Sequence, residues 1–156
     1  MLCEDKVKIN VGCGQDLRDG FINVDKNPDL VSRGAVLCDV DAGHLSHFPQ
    51  EQFTHVVCKG CLNEFQTDVV SIMQQFHGLL VPDGILEIWV AVVDNGLGAF
   101  RDPLARRYLH SDWSEYFFRG GRWQNSGIGF GFHGEFEQQE NVVHGETHYI
   151  RLRKIW

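Results

Sequence analysis

Two glycines and an acid near the start of this chain are the residues best suited to bind a small molecule. The run Lys8-Ile-Asn-Val-Gly-Cys-Gly14 predicts a short buried strand that breaks into a glycine turn. Gly12 and Gly14 permit a sharp turn and leave no side chain between the backbone and a ligand. A second apolar run ends in Asp25, whose carboxylate can accept both hydroxyls of a ribose. Strand, glycine turn, strand and acid is the arrangement of a nucleotide-type cofactor site at the carboxyl edge of a parallel sheet.

The glycine spacing argues against two other phosphate-binding motifs. A dinucleotide fingerprint, G-x-G-x-x-G, would need a glycine at position 17, where the chain has Leu17. No Lys-Ser or Lys-Thr pair follows the turn, so a P-loop is absent. A nicotinamide oxidoreductase is therefore disfavoured, also because 156 residues leave no length for a substrate domain.

The stretch from Ile9 to Asp25 resembles the first motifs of the class I S-adenosylmethionine-dependent methyltransferases. It is most similar to a subgroup of small predicted methyltransferases, in which Gly-Cys-Gly is followed almost at once by a Gly-aromatic-x-Asn-Val-Asp strand. The resemblance covers roughly residues 7–118. It implies an α/β, three-layer Rossmann-like fold, with a seven-stranded, mostly parallel sheet and a C-terminal antiparallel hairpin. It also implies S-adenosyl-L-methionine as the cofactor.

The resemblance implies a set of cofactor-binding residues. The Gly12-Cys13-Gly14 backbone would approach the methionine part, and Asp25 would take the ribose hydroxyls. Asp39, after the third strand, would accept from the adenine amino group, with Asp41 as a competitor and an ordinary turn role as the alternative. Behind the fourth strand, the segment 59–64 contributes three further candidates, which are Lys59, Leu62 and Glu64. Glu64 would contact the ligand ammonium group or the acceptor, or simply favour the start of a helix.

On the acceptor side, Asp102, Pro103 and Arg107 match a subgroup motif, Asp-Pro-x-His-x-Arg-x-Phe. The histidine of that motif is replaced by Ala105. His110 is the candidate for a substitute general base, because histidine titrates near neutral pH, and a surface histidine is the alternative. The predicted catalytic set is therefore His110, Arg107 and Asp102.

Arginines concentrate in the loop region between residues 101 and 122. They could hold an anionic acceptor, since the arginine fork suits phosphate and carboxylate groups. The alternative is a solvated loop face on which arginines pair with nearby acids. The predicted function is methyl transfer to a small-molecule or glycan-type acceptor. Because the motif histidine and an N-terminal cap are missing, a non-catalytic cofactor-binding module that acts as a partner or regulator is the alternative.

Metal sites are weakly indicated. Cys58 and Cys61 have zinc-like spacing, but no second pair stands at a matching distance. Asp94 follows the fifth strand, where a magnesium-dependent methyltransferase has a ligand, yet the fourth strand ends in Cys58-Lys59 rather than in an acid. The prediction is a site without a metal, with Asp94 near the acceptor mouth.

Composition bounds the remaining expectations. The length fits one domain, residues 1–156, and a net charge of −7 makes nucleic acid an unfavourable partner. No apolar run reaches the roughly 18–20 residues of a membrane helix, and no signal peptide is recognised. Five cysteines without a disulfide pattern favour a cytoplasmic, reduced protein. A lid over the acceptor would come from residues 95–124 or from a second subunit of a homodimer.

Hydrophobic patterns predict the elements that position these residues. The connection between the first two strands is too short for more than a single helical turn. The chain then alternates strands and one clear helix, followed by a polar region, a glycine-rich strand and a last strand. The predicted strands are 7–12, 21–25, 35–38, 54–58, 85–93, a bulged strand at 127–134 that ends near Phe136, and 148–155; the predicted helices are 66–80 and 111–118, with a Pro82-Asp83-Gly84 turn.

Overall fold

The structure is a computed structural model and describes residues 7–156. Its strands are β1 (Val7–Val11), β2 (Ile22–Asp25), β3 (Val36–Leu37), β4 (Phe53–Lys59), β5 (Leu80–Ala91), β6 (Phe136–His144) and β7 (Thr147–Lys154). The α-helices are α1 (Val69–Leu79) and α2 (Gln124–Gly129), and short 3-10 helices span Pro28–Arg33, Val40–Ala42, His44–His47, Gly98–Arg101 and Ser111–Tyr116.

The seven strands form one sheet in the order β3-β2-β1-β4-β5-β7-β6. Strands β1 to β5 pair in parallel, whereas β7 runs antiparallel to both β5 and β6. A two-residue turn at Gly145 and Glu146 closes the β6–β7 hairpin, because His144 pairs with Thr147. The predicted α/β sheet with a C-terminal antiparallel hairpin is confirmed.

A pair of asparagines holds the short connection between β1 and β2. Asn10 is 1% exposed, and its side-chain amide donates to the carbonyl of Asp16 at 2.7 Å and to Asn23 Oδ1 at 3.0 Å. Asn23 in turn exchanges two hydrogen bonds with the backbone of Arg18. These bonds give the buried Asn10 amide and the backbone of the connection their hydrogen-bonding partners. As predicted, the connection contains no regular helix.

Helix α1 packs the main core against one face of the sheet. Its buried side chains include Ile72, Met73 and Phe76, which recur at helical spacing. The helix begins three residues later than the predicted start at 66, because Asp68 is its N-cap and accepts from the backbone N–H of Ser71 at 2.8 Å.

The two faces of the sheet are covered unequally. Alternate residues of β5 point into the core with α1, and the others, including Glu87 and Trp89, lie half-buried on the opposite face. There Tyr149 donates to Glu87 at 2.6 Å and its ring lies 4.7 Å from that of Trp89. The 3-10 helix Pro28–Arg33 buries Leu30 in a separate small apolar cluster with Cys13 and Ala35.

Strand β5 corrects one predicted boundary. The Pro82-Asp83-Gly84 segment was expected to separate the helix from a strand that starts at residue 85, yet the strand starts at Leu80 and contains it. The register against β4 shifts there, and Asp83 has a φ of 64°. The turn-forming residues therefore make a bulge inside the strand, which is a common use of left-handed backbone.

The glycine-rich stretch 127–134 was predicted as a strand, and this is wrong. Its first residues belong to α2, and the loop that follows buries Phe132 while leaving Phe130 exposed. A Cβ on Gly127 would lie 2.1 Å from the carbonyl oxygen of Tyr116, so the glycine is required for close packing of this helix. The hairpin partner of β7 is instead β6, which starts only at Phe136. At the opposite edge, the predicted strand 35–38 keeps two paired residues in β3.

Candidate functional site

The glycine turn lies at the carboxyl end of β1, beside the end of β2. Both glycines adopt left-handed backbone, with φ of 65° at Gly12 and 50° at Gly14. A Cβ on Gly12 would lie 2.6 Å from the Sγ of Cys61, whereas a Cβ on Gly14 would meet no atom within 4 Å. Gly12 is therefore required by the packing of the protein itself. Gly14 presents open backbone to which a ligand can come close.

Asp25 ties the glycine turn to the end of β2. Its Oδ2 accepts from the backbone N–H of Gly14 at 2.9 Å, and its Oδ1 accepts from that of Asn27 at 2.9 Å. Each carboxylate oxygen has a second lone pair, so the half-buried carboxylate can still accept two hydroxyl groups. The residue between the glycines, Cys13, is buried with Leu30, which leaves only its backbone available to a ligand.

The structure distinguishes the two acids that follow β3. Asp39 caps the short 3-10 helix Val40–Ala42 by accepting from the backbone N–H of Asp41 at 3.0 Å. Asp41 reaches across to the loop after β4, where it accepts from the backbone N–H groups of Gln66 and Thr67 and from the Thr67 hydroxyl. Burial alone would raise the pKa of Asp41, but these hydrogen bonds outweigh it and lower that pKa. Asp41 is thus occupied in joining two loops.

The loop after β4 places its three candidates in different surroundings. Lys59 is exposed at the strand end, with its Nζ 5.9 Å from the centre of the Trp89 ring. Leu62 has no exposed surface and packs in the core, so packing is the role that its position supports. Glu64 is half-buried, and its carboxylate has no hydrogen-bonding partner among residues 7–156. Burial, and then the negative charge of Asp102, raise the pKa of Glu64.

Arg107 holds two loops together. Its guanidinium donates to the carbonyl oxygens of Phe65 at 2.7 Å and of Thr67 at 2.6 Å, and its backbone N–H donates to the carbonyl of Asn63. Burial lowers its pKa, and the charge of Asp68 opposes that shift. These bonds tie Arg107 to the loop that carries Glu64, and its catalytic role stays a prediction.

The other two members of the predicted catalytic set, Asp102 and His110, make their hydrogen bonds and ion pairs with different partners. Asp102 lies beside the Glu64 loop, where its carboxylate accepts from Asn63 Nδ2 at 3.4 Å. His110 accepts from the backbone N–H of Asp112 at the start of the 3-10 helix Ser111–Tyr116, and its Nε2 lies 3.4 Å from Asp94. This histidine is exposed and engaged with two acids, so its position fits the surface alternative.

The arginines of the 101–122 region point to separate partners. Arg101 pairs with Glu146 at 3.3 Å, Arg119 pairs with Glu135 at 2.6 Å, and Arg122 lies over the ring of Trp123. The side chains of these three arginines have different partners, so among the described residues they do not converge on a site for an anion. The solvated-face alternative fits these contacts.

Sequence reasoning missed the asparagines that hold the site. Asn63 is 3% exposed, and its carbonyl accepts from the backbone N–H groups of Arg106 and Arg107 at 2.7 and 3.2 Å. Asn10 fixes the connection that follows the glycine turn. Their polar type in otherwise apolar segments was the available signal, because a buried amide must find partners.

Two further observations bear on ligands. Within residues 7–156, no cluster of three or more His, Cys, Asp or Glu side chains has metal-binding geometry. Across the same residues, the helices are too short or too polar to span a bilayer.

The surface has two pockets away from the glycine turn. One, of about 460 Å³, is lined by α2 and the C-terminal region, and the other, of about 220 Å³, by an apolar set that includes Val70 and Trp113. Neither pocket includes the glycine turn.

Comparison with solved structures places the fold. A methyltransferase from Archaeoglobus fulgidus superposes with a TM-score of 0.66 at 11% identity, over 96% of this chain and 86% of the other. The chain has a class I methyltransferase fold. A Mesorhizobium loti S-adenosylmethionine-dependent methyltransferase superposes with a TM-score of 0.63 at 12% identity, over 99% of this chain and 94% of the other. A third match is a chain of the complex between the Haloferax volcanii Trm112 methyltransferase activator and a methyltransferase. It superposes with a TM-score of 0.67 at 12% identity, over 97% of this chain and 84% of the other. No family model and no curated relative matches the sequence.

Proposed function

We propose that this protein binds S-adenosyl-L-methionine at the glycine turn and transfers its methyl group to a small-molecule acceptor. The observation that carries the proposal is the Gly12–Gly14 turn held by the Asp25 carboxylate, at the carboxyl ends of two adjacent parallel strands. In open α/β sheets, ligands bind in the crevice at that edge. The class I methyltransferase fold of the whole chain supports the same ligand.

The residues present fit this cofactor. Open space at Gly14 allows the backbone to approach the ligand, and the spare lone pairs of Asp25 suit two ribose hydroxyls. Asp39 stands one strand further along, where it would accept from the adenine amino group. Glu64 supplies an unpaired carboxylate near Asp102, which favours a positively charged group. The methionine ammonium is the cation that we assign to it.

The cofactor supplies a methyl group on a sulfonium, which is already a good leaving group. The chain must then align the acceptor behind that carbon and exclude water, and positioning of this kind supplies much of the acceleration in such reactions. Arg107 and Asn63 serve that end, since they fix the loop that carries Glu64. A small-molecule or glycan-type acceptor remains part of the proposal. The dispersed arginines give no support to an anionic one.

Calorimetric titration with S-adenosylmethionine and S-adenosylhomocysteine tests cofactor binding. We expect micromolar binding that Asp25→Ala weakens about tenfold or more, because charge-assisted hydrogen bonds are lost. Asp29→Ala is the matched control, since it removes a nearby exposed acid that contacts no part of the turn. Folded wild-type protein that binds neither ligand would remove the basis of the proposal.

Methyl transfer is then assayed as release of S-adenosylhomocysteine across a panel of amines, alcohols, carboxylates and glycans. Turnover with any acceptor supports the enzyme. Cofactor binding without turnover across the panel would instead favour the non-catalytic binding module. Because one structural relative was solved with a methyltransferase activator, the panel is also run with that activator protein added.

A further inference from the structure

We infer that Cys58 and Cys61 are a modification site, at which a reversible disulfide forms beneath the glycine turn and weakens binding of the cofactor. The ligand part of this inference rests on the proposed function, whereas disulfide formation does not. The inference starts from the one cysteine motif that neither a metal nor the methyl-transfer chemistry accounts for.

The two sulfur atoms are already in contact. Cys58 is the last core residue of β4 and Cys61 lies two residues beyond the strand end, so a tight Lys59-Gly60 bend brings them together. Their Sγ atoms are 3.0 Å apart. A disulfide bond is about 2.05 Å long, so closure needs a movement of only about 1 Å.

Any movement of Cys61 reaches the glycine turn directly. Its Sγ donates to the carbonyl of Val11 at 3.4 Å, which is the last residue of β1. The same sulfur fills the space into which a side chain on Gly12 would project, 2.6 Å from the position of that Cβ. When Sγ moves toward Cys58, the turn loses both its hydrogen bond and its packing support. Gly14, which lies two residues on and bonds to Asp25, shifts with it.

A peroxide is a sufficient oxidant, and the reaction balances without any other reagent. Cys61 is 8% exposed and Cys58 is fully buried, so a small oxidant meets Cys61 first. The Cys61 thiolate attacks one peroxide oxygen, giving a sulfenic acid and releasing water or hydroxide. The sulfur of Cys58 then displaces the sulfenic oxygen as water, and the S–S bond forms. In total two thiols and one peroxide give one disulfide and two waters, and two equivalents of an external thiol reverse the change.

The rate of the first step is set by the surroundings of Cys61. The hydrogen bond with Cys58 and then burial raise its pKa, so little thiolate is present at neutral pH. Oxidation is therefore slow, and it is followed over hours in excess hydrogen peroxide.

The test uses the full chain and three separate readouts. Peptide mapping by mass spectrometry detects a Cys58–Cys61 disulfide as the loss of two hydrogen atoms. Amide hydrogen exchange of the peptide that carries Gly12 and Gly14 reports on the turn without any ligand. Calorimetry compares S-adenosylmethionine affinity before oxidation, after it, and after dithiothreitol. We expect the disulfide, faster exchange in the turn, and affinity lower by about tenfold, all reversed by the reductant.

Variants separate this pair from the other thiols. Cys58→Ala and Cys61→Ala each abolish the disulfide, and both are made because either one could impair folding. Cys38→Ser is the matched control, since it removes a different buried cysteine and leaves the pair intact. Failure of peroxide to link Cys58 with Cys61 in the wild type would overturn the inference. So would a disulfide that leaves turn exchange and ligand affinity unchanged. Absence of ligand binding by the reduced protein would instead count against the proposed function, and the mapping and exchange results would still decide the disulfide.

Discussion

Gly12→Ala should cost more stability than Gly14→Ala, whereas Gly14→Ala should cost more cofactor binding. Both positions have left-handed backbone, which costs an alanine about 1–2 kcal/mol. At Gly12 the new Cβ also collides with Cys61 Sγ, and overpacking of this kind adds about 1–3 kcal/mol. Gly12→Ala is therefore expected to lower the free energy of unfolding by about 2–5 kcal/mol, whereas Gly14→Ala lowers it by about 1–2 kcal/mol.

Binding should follow the reverse order when it is measured on folded protein. A methyl group on Gly14 projects into open space at the proposed cofactor site, so we expect Gly14→Ala to abolish detectable binding of S-adenosylmethionine while the protein stays folded. Urea denaturation gives the stabilities, and calorimetry gives the affinities. Low temperature keeps Gly12→Ala folded for the comparison.

A double variant isolates the collision from the backbone strain. Cys61→Ala removes the sulfur that the new Cβ would meet but leaves the left-handed backbone unchanged. In the Gly12→Ala background it should therefore recover about 1 kcal/mol or more of the loss, although on its own it destabilises the core. Equal costs at Gly12 and Gly14, or no recovery in the double variant, would refute the idea that Cys61 imposes the glycine at position 12.

Three other perturbations address the surroundings of the site. Asn10→Ala strands the carbonyl of Asp16 and should cost about 1–3 kcal/mol in urea denaturation; a neutral result would mean that water replaces the amide. Asp39→Ala loses one capping hydrogen bond and should weaken cofactor affinity, whereas Asp41→Ala loses three hydrogen bonds and should reduce stability more; equal affinities and equal melting temperatures of the two variants would contradict this division. Burial lowers the pKa of His77 from 6.5 to about 4, so between pH 4 and 6.5 the histidine is protonated in the unfolded chain and neutral in the folded one. Stability should therefore fall as pH is lowered through that window. In His77→Gln the midpoint of urea denaturation should depend less on pH, and an unchanged pH dependence would disprove this role of His77.

The elements that the sequence predicted well are those with a local signal. The apolar runs of β1, β4 and β5 and the helical spacing of Ile72, Met73 and Phe76 are properties of neighbouring residues, and all appear in the structure. The 127–134 stretch failed because alternating glycine and phenylalanine fits a strand, while its actual helix depends on contact between Gly127 and Tyr116. That contact is tertiary and leaves no trace in local periodicity.

The candidate site divides in the same way. Gly14 and Asp25 could be brought together from the sequence, because the ends of adjacent parallel strands meet at one edge. The bonds of Arg107 to two carbonyls could not be predicted from the sequence, because they depend on how two irregular loops pack. The resemblance implied Leu62 as a cofactor-binding residue, yet its burial is set by the path of the loop after β4.

The asparagine-held connection between β1 and β2 has a consequence for how the chain folds. Ile9 pairs with Ile22, so two parallel strands meet across a sequence separation that is unusually short for this type of pairing. The entropic cost of closing a loop rises by about 0.6 kcal/mol with each doubling of loop length, so this short connection lowers the free-energy cost of forming the β1–β2 pair. The β5–β7 pairing, in contrast, joins residues such as Ile88 and Ile150. The glycine turn thus belongs to the low-contact-order part of the molecule, which can assemble before the distant hairpin docks.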